Sequence, residues 1–393
     1  MATTFLLTIE KYAPPGLGLG FYAGRAVFVA GAVVGDELEV EVEKEKKRYY
    51  IARLKRVIRP GPDRQNDPCP HFPACGGCDL LQLAYSEQIR LKTAMLHEQL
   101  AGAGLDVDPL PQVVAAAAAE SGRYRAFFHY DAKARSFGFH ARRRHRVIRL
   151  ATCQALAPGL RELLAEAHRC HELTGKVTGL YGLVSSRGEV AAGLARGRKI
   201  VPLAGFPTAL EEDYGVGEIT LAAAGFAQAN PLMTRKLLAD LLALLPSPGS
   251  LLELYGGSGT FSLALAARCR RLEVWESEAA ALERNRRNLS RHGFGDVKLV
   301  RARVGAARLP RDCEIVVLDP PRTGLPVGVV EELKASRARE IFYISCNPAT
   351  LARDLSRLQA ATAAVPGFSL QTLRAYDMYP GTTHLELLAH LVR

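Results

Sequence analysis

The sequence lacks an apolar run long enough to cross a bilayer, and its N-terminus lacks a basic stretch followed by an apolar one. A transmembrane helix needs about 20 predominantly apolar residues, and a secretory signal needs both of those N-terminal features. We therefore expect no membrane association and a cytoplasmic location. At 393 residues the chain is too long for one ordinary core, so two or three domains are expected.

Carboxylates are scarcer than basic side chains, with 40 Asp and Glu against 51 Lys and Arg, a formal net charge of +11. An excess of this kind predicts a polyanionic partner such as a nucleic acid. The basic side chains concentrate in residues 44–59 and again in residues 142–149. Such groups contact phosphates but carry no sequence information, so they do not say which nucleic acid is bound.

The pattern of apolar residues changes twice along the chain. Residues 1 to about 58 alternate short strand-like runs with glycine turns, which predicts a small, closed β-barrel. After a proline-rich linker, residues 86–100 have helical spacing, and the middle third mixes strands with a helix predicted over 159–171. From about residue 230 helices and strands alternate, which is typical of a parallel sheet that binds a nucleotide-like cofactor.

Disulfides are not expected in a cytoplasmic chain, so its eight cysteines suggest metal binding or catalysis. Cys69, Cys75 and Cys78 lie close together in a Cys-x5-Cys-Gly-Gly-Cys run. Three thiolates need a fourth ligand, and Cys153, after a strand-like segment, is the candidate. Four thiolates suit both zinc and a [4Fe–4S] cluster, and spacing alone does not choose between them.

The dinucleotide fingerprint G-x-G-x-x-G is also missing. Residues 251–261 predict a buried strand, a glycine turn that includes Gly257, and the start of a helix, but Ser262 stands where the third glycine would be. Glu276 closes the next strand, where a carboxylate can accept hydrogen bonds from two ribose hydroxyls. This pattern fits S-adenosylmethionine better than a nicotinamide. Thr260, at the junction of loop and helix, is either part of this loop or a helix cap.

Two polar turns follow the strands predicted over residues 315–318 and 341–344. Asp319 begins an Asp-Pro-Pro turn like that of enzymes that methylate exocyclic amines, but the aromatic residue that follows the prolines in those enzymes is replaced by Arg322. Cys346 stands in a Ser-Cys-Asn-Pro turn. An amine methyltransferase does not need a cysteine at this place. A lone cysteine is usually a buried structural residue. The Asn-Pro turn favours an exposed thiol, placed like a nucleophile.

Together these segments resemble the uracil-5 RNA methyltransferase family, whose members make 5-methyluridine in ribosomal and transfer RNA. The matching motifs follow the family's order over nearly the whole chain: Gly31-x-x-Val34-Gly35-Asp36, the cysteine run, Phe226-Ala227-Gln228-Ala229-Asn230, the cofactor loop, Ser345-Cys346-Asn347-Pro348, and Asp377-Met378-Tyr379-Pro380 with His384-Leu385-Glu386. The chain departs from the family's usual residues at Glu253, Gly256, 301–303 and Gly381. The first two changes remove no backbone contact, so we expect the cofactor to bind.

The resemblance implies a multidomain fold. Residues 1–58 would form a TRAM domain, an OB-like β-barrel that binds RNA, residues 59–225 a central α+β domain with an iron–sulfur site, and residues 226–393 a Rossmann-like α/β methyltransferase domain. It implies a [4Fe–4S] cluster rather than zinc, held by Cys69, Cys75, Cys78 and Cys153. It implies S-adenosylmethionine contacts from Gln228, Tyr255, Gly257, Thr260, Glu276 and Asp319.

The resemblance also implies an RNA (uracil-5-)-methyltransferase that works through a covalent intermediate. The Cys346 thiolate would attack C6 of the uridine, Glu386 would remove the C5 proton after methyl transfer, and Asp319 would orient the base or the cofactor. The target uridine must leave its stack to be reached. The cluster has no evident place in this chemistry, so we interpret it as structural, with RNA contact as a second role.

The substrate predicted from the resemblance is 23S ribosomal RNA, and we expect the enzyme to be a monomer. Uridine 54 of transfer RNA is the alternative substrate. Two further alternatives are a cytosine-5 RNA methyltransferase and a non-catalytic RNA-binding protein. The first usually carries a Pro-Cys pair that is absent here, and the presence of both Cys346 and Glu386 argues against the second.

Overall fold

The computed structural model describes residues 3–66, 69–117, 122–170, 176–361 and 366–393. Its N-terminal part is a six-stranded sheet of order β1-β5-β6-β4-β3-β2, in which only β4 and β6 are parallel. β1 also contacts β3, so the sheet curls around a small apolar core. The predicted β unit is confirmed as a curled sheet, and its closure into a TRAM barrel stays a prediction. The strands are β1 (Thr4–Thr8), β2 (Lys11–Ala13), β3 (Leu17–Tyr22), β4 (Arg25–Val29), β5 (Glu37–Glu45) and β6 (Tyr49–Arg59).

The middle of the chain forms a second, antiparallel six-stranded sheet of order β10-β9-β8-β11-β12-β13, covered by the helix α2. The predicted helix over 159–171 is confirmed, although residue 171 lies outside the described residues. The elements are α1 (Tyr85–Gly102), β7 (Val113–Val114), β8 (Arg125–Asp131), β9 (Ser136–His140), β10 (Val147–Arg149), α2 (Pro158–Arg169), β11 (Val177–Val184), β12 (Val190–Arg196), β13 (Lys199–Pro202), and the hairpin β14 (Ala209–Asp213) with β15 (Glu218–Ala222).

The C-terminal part is an eight-stranded sheet of order β18-β17-β16-β19-β20-β22-β21-β7, of which the first five strands are parallel. The predicted parallel sheet is confirmed for these five strands. β22 is antiparallel to both of its neighbours and was not predicted. The elements are α3 (Pro231–Leu244), β16 (Ser250–Leu254), α4 (Ser262–Ala266), β17 (Arg271–Glu276), α5 (Ala279–Arg291), β18 (Lys298–Arg301), β19 (Ile315–Leu318), α6 (Val327–Ala335), β20 (Glu340–Ser345), α7 (Pro348–Gln359), β21 (Ser369–Tyr376) and β22 (Glu386–Val392).

Helix α1 packs with α7 on this C-terminal sheet, and β7 is its edge strand. Leu96 and Leu100, four residues apart on one face of α1, join the same apolar core as α7, and β7 pairs in parallel with β21. Residues 85–114, which the sequence analysis assigned to the central domain, therefore connect two parts of the molecule. The domain boundaries stay a prediction. No helix in the described part of the chain is long and apolar enough to span a membrane.

Candidate active site

Three predicted site residues meet at the carboxyl edge of the parallel strands. β19 and β20 run in the same direction, so Asp319 and Cys346, which follow them, emerge at the same edge. β22 runs the opposite way, with Leu387 opposite Ser345, so its first residue, Glu386, begins at that edge. The structure thus brings a thiol and two carboxyl groups together from strands that are far apart in sequence. Their chemical roles stay predictions.

The two carboxyl groups hold protons unusually well. Burial raises the pKa of Asp319 to about 7, and a hydrogen bond from Gln228 Nε2 to Asp319 Oδ2, 3.0 Å long, works against that increase. Glu386 is 3% exposed, and burial together with the neighbouring charge of Asp319 raises its pKa well above the usual value. The Arg322 guanidinium lowers the pKa of Glu386. Near neutral pH the pair therefore retains protons, and ionising both groups at once is unfavourable.

The half-buried Cys346 thiol also ionises less readily than usual. Burial raises its pKa to about 11, with Glu386 and Asp319 adding to the increase, and Arg322 lowers it through its charge and a hydrogen bond. Asn347 ties the two turns together, because its side-chain nitrogen donates to the Arg322 carbonyl at 2.9 Å while its oxygen caps α7. In the sequence, Arg322 stands out only because it occupies the place of an aromatic residue. The contact between Arg322 and the thiol joins the ends of two different strands, so no local sequence pattern predicts it.

The Arg322→Ala protein is expected to form a covalent adduct with RNA more slowly at every pH below the thiol pKa. Removing the cation raises the thiol pKa further, and below that pKa each unit of increase lowers the thiolate fraction about tenfold. The rate should therefore fall by a similar factor at about pH 7.5 and at about pH 9.5, because both lie below the thiol pKa of about 11 in either protein. Single-turnover adduct formation with 5-fluorouridine RNA measures this. Arg287→Ala, at an exposed site, is the control. An adduct rate equal to that of the unmodified protein at both pH values would contradict the assigned role of Arg322.

The glycine loop after β16 faces the end of β17. Its backbone turns through positive φ at Tyr255 (65°), Gly257 (55°) and Gly259 (98°). Gly257 N donates to Glu276 Oε2 at 3.0 Å, and a side chain at Gly257 would point into open space. Thr260 is hydrogen-bonded to a tyrosine rather than capping α4, whose N-cap position is the next residue. The structure therefore brings Gly257 and Glu276 together beside an open region.

The two departures in this loop face the protein interior. Glu253 is 2% exposed, and its Oε2 accepts a hydrogen bond from Ser262 Oγ at 2.5 Å. Burial raises the pKa of Glu253 to about 8. A Cβ atom at Gly256 would lie 2.3 Å from Val274 Cγ1, so a cysteine there requires Val274 to shift. Both departures thus concern packing beneath the loop rather than the surface that faces a ligand.

A buried ion pair holds the segment that leads into Glu386. Lys92 of α1 and Asp377 are both fully buried, with Nζ 2.6 Å from Oδ1. Lys92 Nζ also donates to the carbonyl oxygens of Tyr379 (3.1 Å) and His384 (3.4 Å). Burial lowers the Lys92 pKa and the charge of Asp377 opposes this. Lys92 is not among the site residues predicted from the sequence, although a lysine four residues before Leu96 on the apolar face of a helix is a usable signal.

Comparison with known proteins agrees with this geometry. A family model for tRNA (uracil-5-)-methyltransferase matches residues 219–310 and 303–393. The 23S rRNA (uracil(1939)-C(5))-methyltransferase RlmD of Pseudomonas aeruginosa is 31% identical over 425 residues, which cover 98% of this chain and 93% of that protein. The chain belongs to the uracil-5 RNA methyltransferase family. The resemblance stated from the sequence is thereby confirmed.

Other members of the family match over a similar length. RlmD of Pectobacterium atrosepticum is 28% identical, covering 99% of this chain and 93% of that protein. An uncharacterized RNA methyltransferase of Listeria innocua is 26% identical, covering 99% and 97%. Among solved structures, the Pyrococcus abyssi tRNA (uracil-54, C5)-methyltransferase in complex with S-adenosyl-L-homocysteine has a TM-score of 0.77 at 22% identity and covers both chains fully. At that identity the match shows a shared fold.

In this family member the four predicted cluster ligands line one cavity. Cys69, Cys75, Cys78 and Cys153 surround it together with apolar side chains such as Leu150. Burial raises the pKa of three of these thiols, that of Cys78 to about 12, and the nearby Arg123 lowers each of them. Among the residues that the structure describes, no group of three or more His, Cys, Asp or Glu side chains is arranged so that it could hold a metal ion.

The cysteine loop is bonded directly to the segment that carries the catalytic candidate. Asp79 N and Leu80 N both donate to the Gly381 carbonyl, at 2.8 and 3.0 Å. Arg142 binds Asp79 at 2.7 Å and also the Cys78 carbonyl. Arg142 belongs to the basic residues 142–149, which are expected to contact phosphates. Its side chain instead binds this loop. Arg143, Arg144 and Arg146 are exposed and line a cavity of about 640 Å³ between the first two sheets.

Proposed function

We propose that this protein methylates C5 of a uridine in 23S ribosomal RNA, with S-adenosylmethionine as methyl donor, as a cytoplasmic monomer. The observation that carries the proposal is the meeting of Cys346, Asp319 and Glu386 at one sheet edge. The relatives named for a uracil in 23S ribosomal RNA support the choice of substrate. Transfer RNA is the second candidate, because the matching family model is named for it.

The three side chains divide the reaction between them. The Cys346 thiolate, favoured by Arg322, adds to C6 of the flipped uridine, and the electron pair of the C5–C6 bond moves toward C5 and O4. C5 then accepts the methyl group. Glu386, once deprotonated, removes the C5 proton, and the returning electron pair expels the cysteine. Asp319, hydrogen-bonded to Gln228, orients the base or the cofactor.

S-adenosylmethionine supplies an electrophilic methyl group, and the glycine loop fits such a ligand. The open space over Gly257 allows a ligand to approach the backbone closely, and the Glu276 carboxylate beside it can accept hydrogen bonds from ribose hydroxyls. The residues proposed to hold the cofactor are Gln228, Tyr255, Gly257, Thr260, Glu276 and Asp319.

The cysteine cavity fits a [4Fe–4S] cluster by its donor set, which is four thiols in apolar surroundings. A single zinc ion needs its sulfurs within roughly 4 Å of one another, because each Zn–S bond is about 2.3 Å long. A four-iron cluster is larger and takes one thiolate at each corner, so its four sulfurs lie farther apart than those around a single ion. We propose that Cys69, Cys75, Cys78 and Cys153 hold the cluster and that it acts as a structural staple.

The Cys78→Ala protein is expected to lose bound iron and sulfide and to unfold at a lower temperature, because one corner ligand of the staple is missing. Three measurements follow these effects: metal and sulfide analysis, the visible absorption band of an iron–sulfur cluster at about 400 nm, and thermal unfolding. Cys170→Ala, outside the cavity, is the matched control. Zinc in place of iron would contradict the cluster. A variant that lost the cluster but kept its stability and RNA affinity would contradict the structural role.

Mapping 5-methyluridine at nucleotide resolution in RNA from a deletion strain tests the function. We expect one 23S position to lose its methyl group and to regain it when the purified protein is supplied with that RNA and labelled cofactor. Loss of the modification from transfer RNA alone would move the assignment to the second candidate. Labelled 5-methylcytidine, or no labelled nucleoside from a folded protein that binds the cofactor, would overturn the proposal.

A further inference from the structure

The turn after β19, which carries Arg322, is held in place by side chains at the start of α7. Asn347 Nδ2 and Thr350 Oγ1 both donate to the Arg322 carbonyl oxygen, at 2.9 and 3.2 Å. Arg353 Nη2 donates to the next carbonyl oxygen, that of Thr323, at 2.9 Å. The helix therefore fixes the backbone from which the Arg322 side chain extends.

The centre of this contact is Asp354, a carboxylate that is completely buried. Asp354 Oδ2 accepts hydrogen bonds from Leu325 N at 2.7 Å and from the Tyr343 hydroxyl at 2.8 Å. Asp354 Oδ1 accepts a hydrogen bond from Arg353 Nε at 2.9 Å. A buried carboxylate needs such donors, and here they come from the turn, from β20 and from α7. One side chain thus joins these three elements.

The turn itself is shaped to receive this carboxylate. Gly324 has a φ of 71°, and its N donates to the Pro321 carbonyl oxygen at 2.8 Å, which closes a tight turn around Arg322. A Cβ atom at Gly324 would overlap Asp354 Oδ2. Glycine is therefore needed both for the backbone conformation and for the close approach of the carboxylate. Because the two fit each other, a change at Asp354 changes the turn.

Arg322 depends on this support because its own side chain is exposed. An exposed arginine has many rotamers, and the packing around it restrains them little. Its guanidinium nevertheless makes a hydrogen bond with the Cys346 thiol, which follows the neighbouring strand. A backbone shift of about 1 Å exceeds the range of hydrogen-bond lengths. The contact between cation and thiol therefore requires a turn that stays in one place.

We propose that Asp354 is a positioning residue for C5 methylation, whose carboxylate fixes the turn after β19 and thereby holds the Arg322 guanidinium against the Cys346 thiol. Asp354 acts through Arg322 rather than on the reacting atoms. The inference rests on the proposed function, in which Cys346 is the nucleophile, and adds to it the residue that keeps the nucleophile beside its cation. An anchor that served only stability would leave the reactivity of the thiol unchanged.

The test measures alkylation of Cys346 by iodoacetamide in the complete protein, without RNA or cofactor. Mass spectrometry of the peptide that contains Cys346 identifies this thiol among the eight cysteines of the chain. Asp354→Asn is nearly isosteric, and we expect it to slow alkylation about 3- to 10-fold at about pH 8, or about half a unit to one unit of thiol pKa. Loss of a negative charge would by itself favour the thiolate and speed the reaction. Slower alkylation therefore indicates a displaced Arg322.

Three further proteins separate positioning from stability. In the Arg322→Ala background, Asp354→Asn should cause no further slowing, because the two side chains act through one contact. Thr350→Val removes one donor to the Arg322 carbonyl oxygen without changing any charge, and should slow alkylation about 2-fold. Glu340→Gln, at the opposite end of β20 beside His390, should leave the rate unchanged.

Adduct formation with 5-fluorouridine RNA should slow in Asp354→Asn by a similar factor, because it uses the same thiolate, whereas RNA affinity should not change. Alkylation of folded Asp354→Asn at the unmodified rate or faster, or equal slowing with and without Arg322, would overturn the positioning role. For a variant that does not fold, an unchanged rate in Thr350→Val would overturn it. Absence of C5 methylation by the unmodified protein would overturn the proposed function, and the alkylation rates would still report whether Asp354 acts through Arg322.

Discussion

The Glu386→Gln protein is expected to accumulate a covalent complex with RNA when it is supplied with S-adenosylmethionine. The amide cannot accept the C5 proton, so the cysteine is not expelled, and turnover should fall by about 10²- to 10⁴-fold. The change is nearly isosteric, and it removes a carboxyl group whose pKa is raised by burial, so the fold should be kept. The first bond formation, which needs only Cys346 and Arg322, remains available.

Denaturing electrophoresis with labelled RNA distinguishes this result from simple inactivity. The single variant should show a shifted band that survives denaturation, and the double variant Cys346→Ala/Glu386→Gln should show none. Cys346→Ala alone should abolish turnover while binding RNA nearly as well as the unmodified protein. Glu283→Gln, an exposed carboxylate on α5, serves as the control. A shifted band in the double variant, or normal turnover in Glu386→Gln, would exclude the assigned roles.

The Lys92→Met protein is expected to lose about 3–5 kcal/mol of folding free energy, because it leaves the buried Asp377 carboxylate unpaired. The carbonyl oxygens of Tyr379 and His384 lose a donor at the same time. These residues lie in the segment that leads into Glu386. Turnover should therefore fall even in the fraction of protein that remains folded.

Urea unfolding and single-turnover kinetics measure the two effects separately. In Lys92→Met/Asp377→Asn no buried charge is left, so much of the stability should return, whereas turnover should stay low because the carbonyl donors are still missing. Lys55→Met, at an exposed ion pair with Glu41, should leave the free energy of unfolding nearly unchanged. Full recovery of turnover in the double variant would show that Lys92 acts only through charge and does not position the segment.

The sequence predicted the parts of this site that depend on local order. A strand followed by a glycine turn, and a strand followed by a polar turn, place Gly257, Asp319 and Cys346 at one edge whenever the strands are parallel. The position of Glu386 could not be predicted in this way, because it depends on an antiparallel strand inserted next to β20. The pairing of Lys92 with Asp377 spans 285 residues and follows from tertiary packing alone.

The place of β22 between β20 and β21 has a consequence for how the chain is assembled during synthesis. Both neighbours precede it in the chain, and each has one unpaired edge until residues 386–392 pair with it. Open strand edges invite pairing with other chains. The strand that closes them also brings in the proposed proton acceptor at its first residue. In this molecule the same strand pairing therefore closes the sheet and places the proposed proton acceptor.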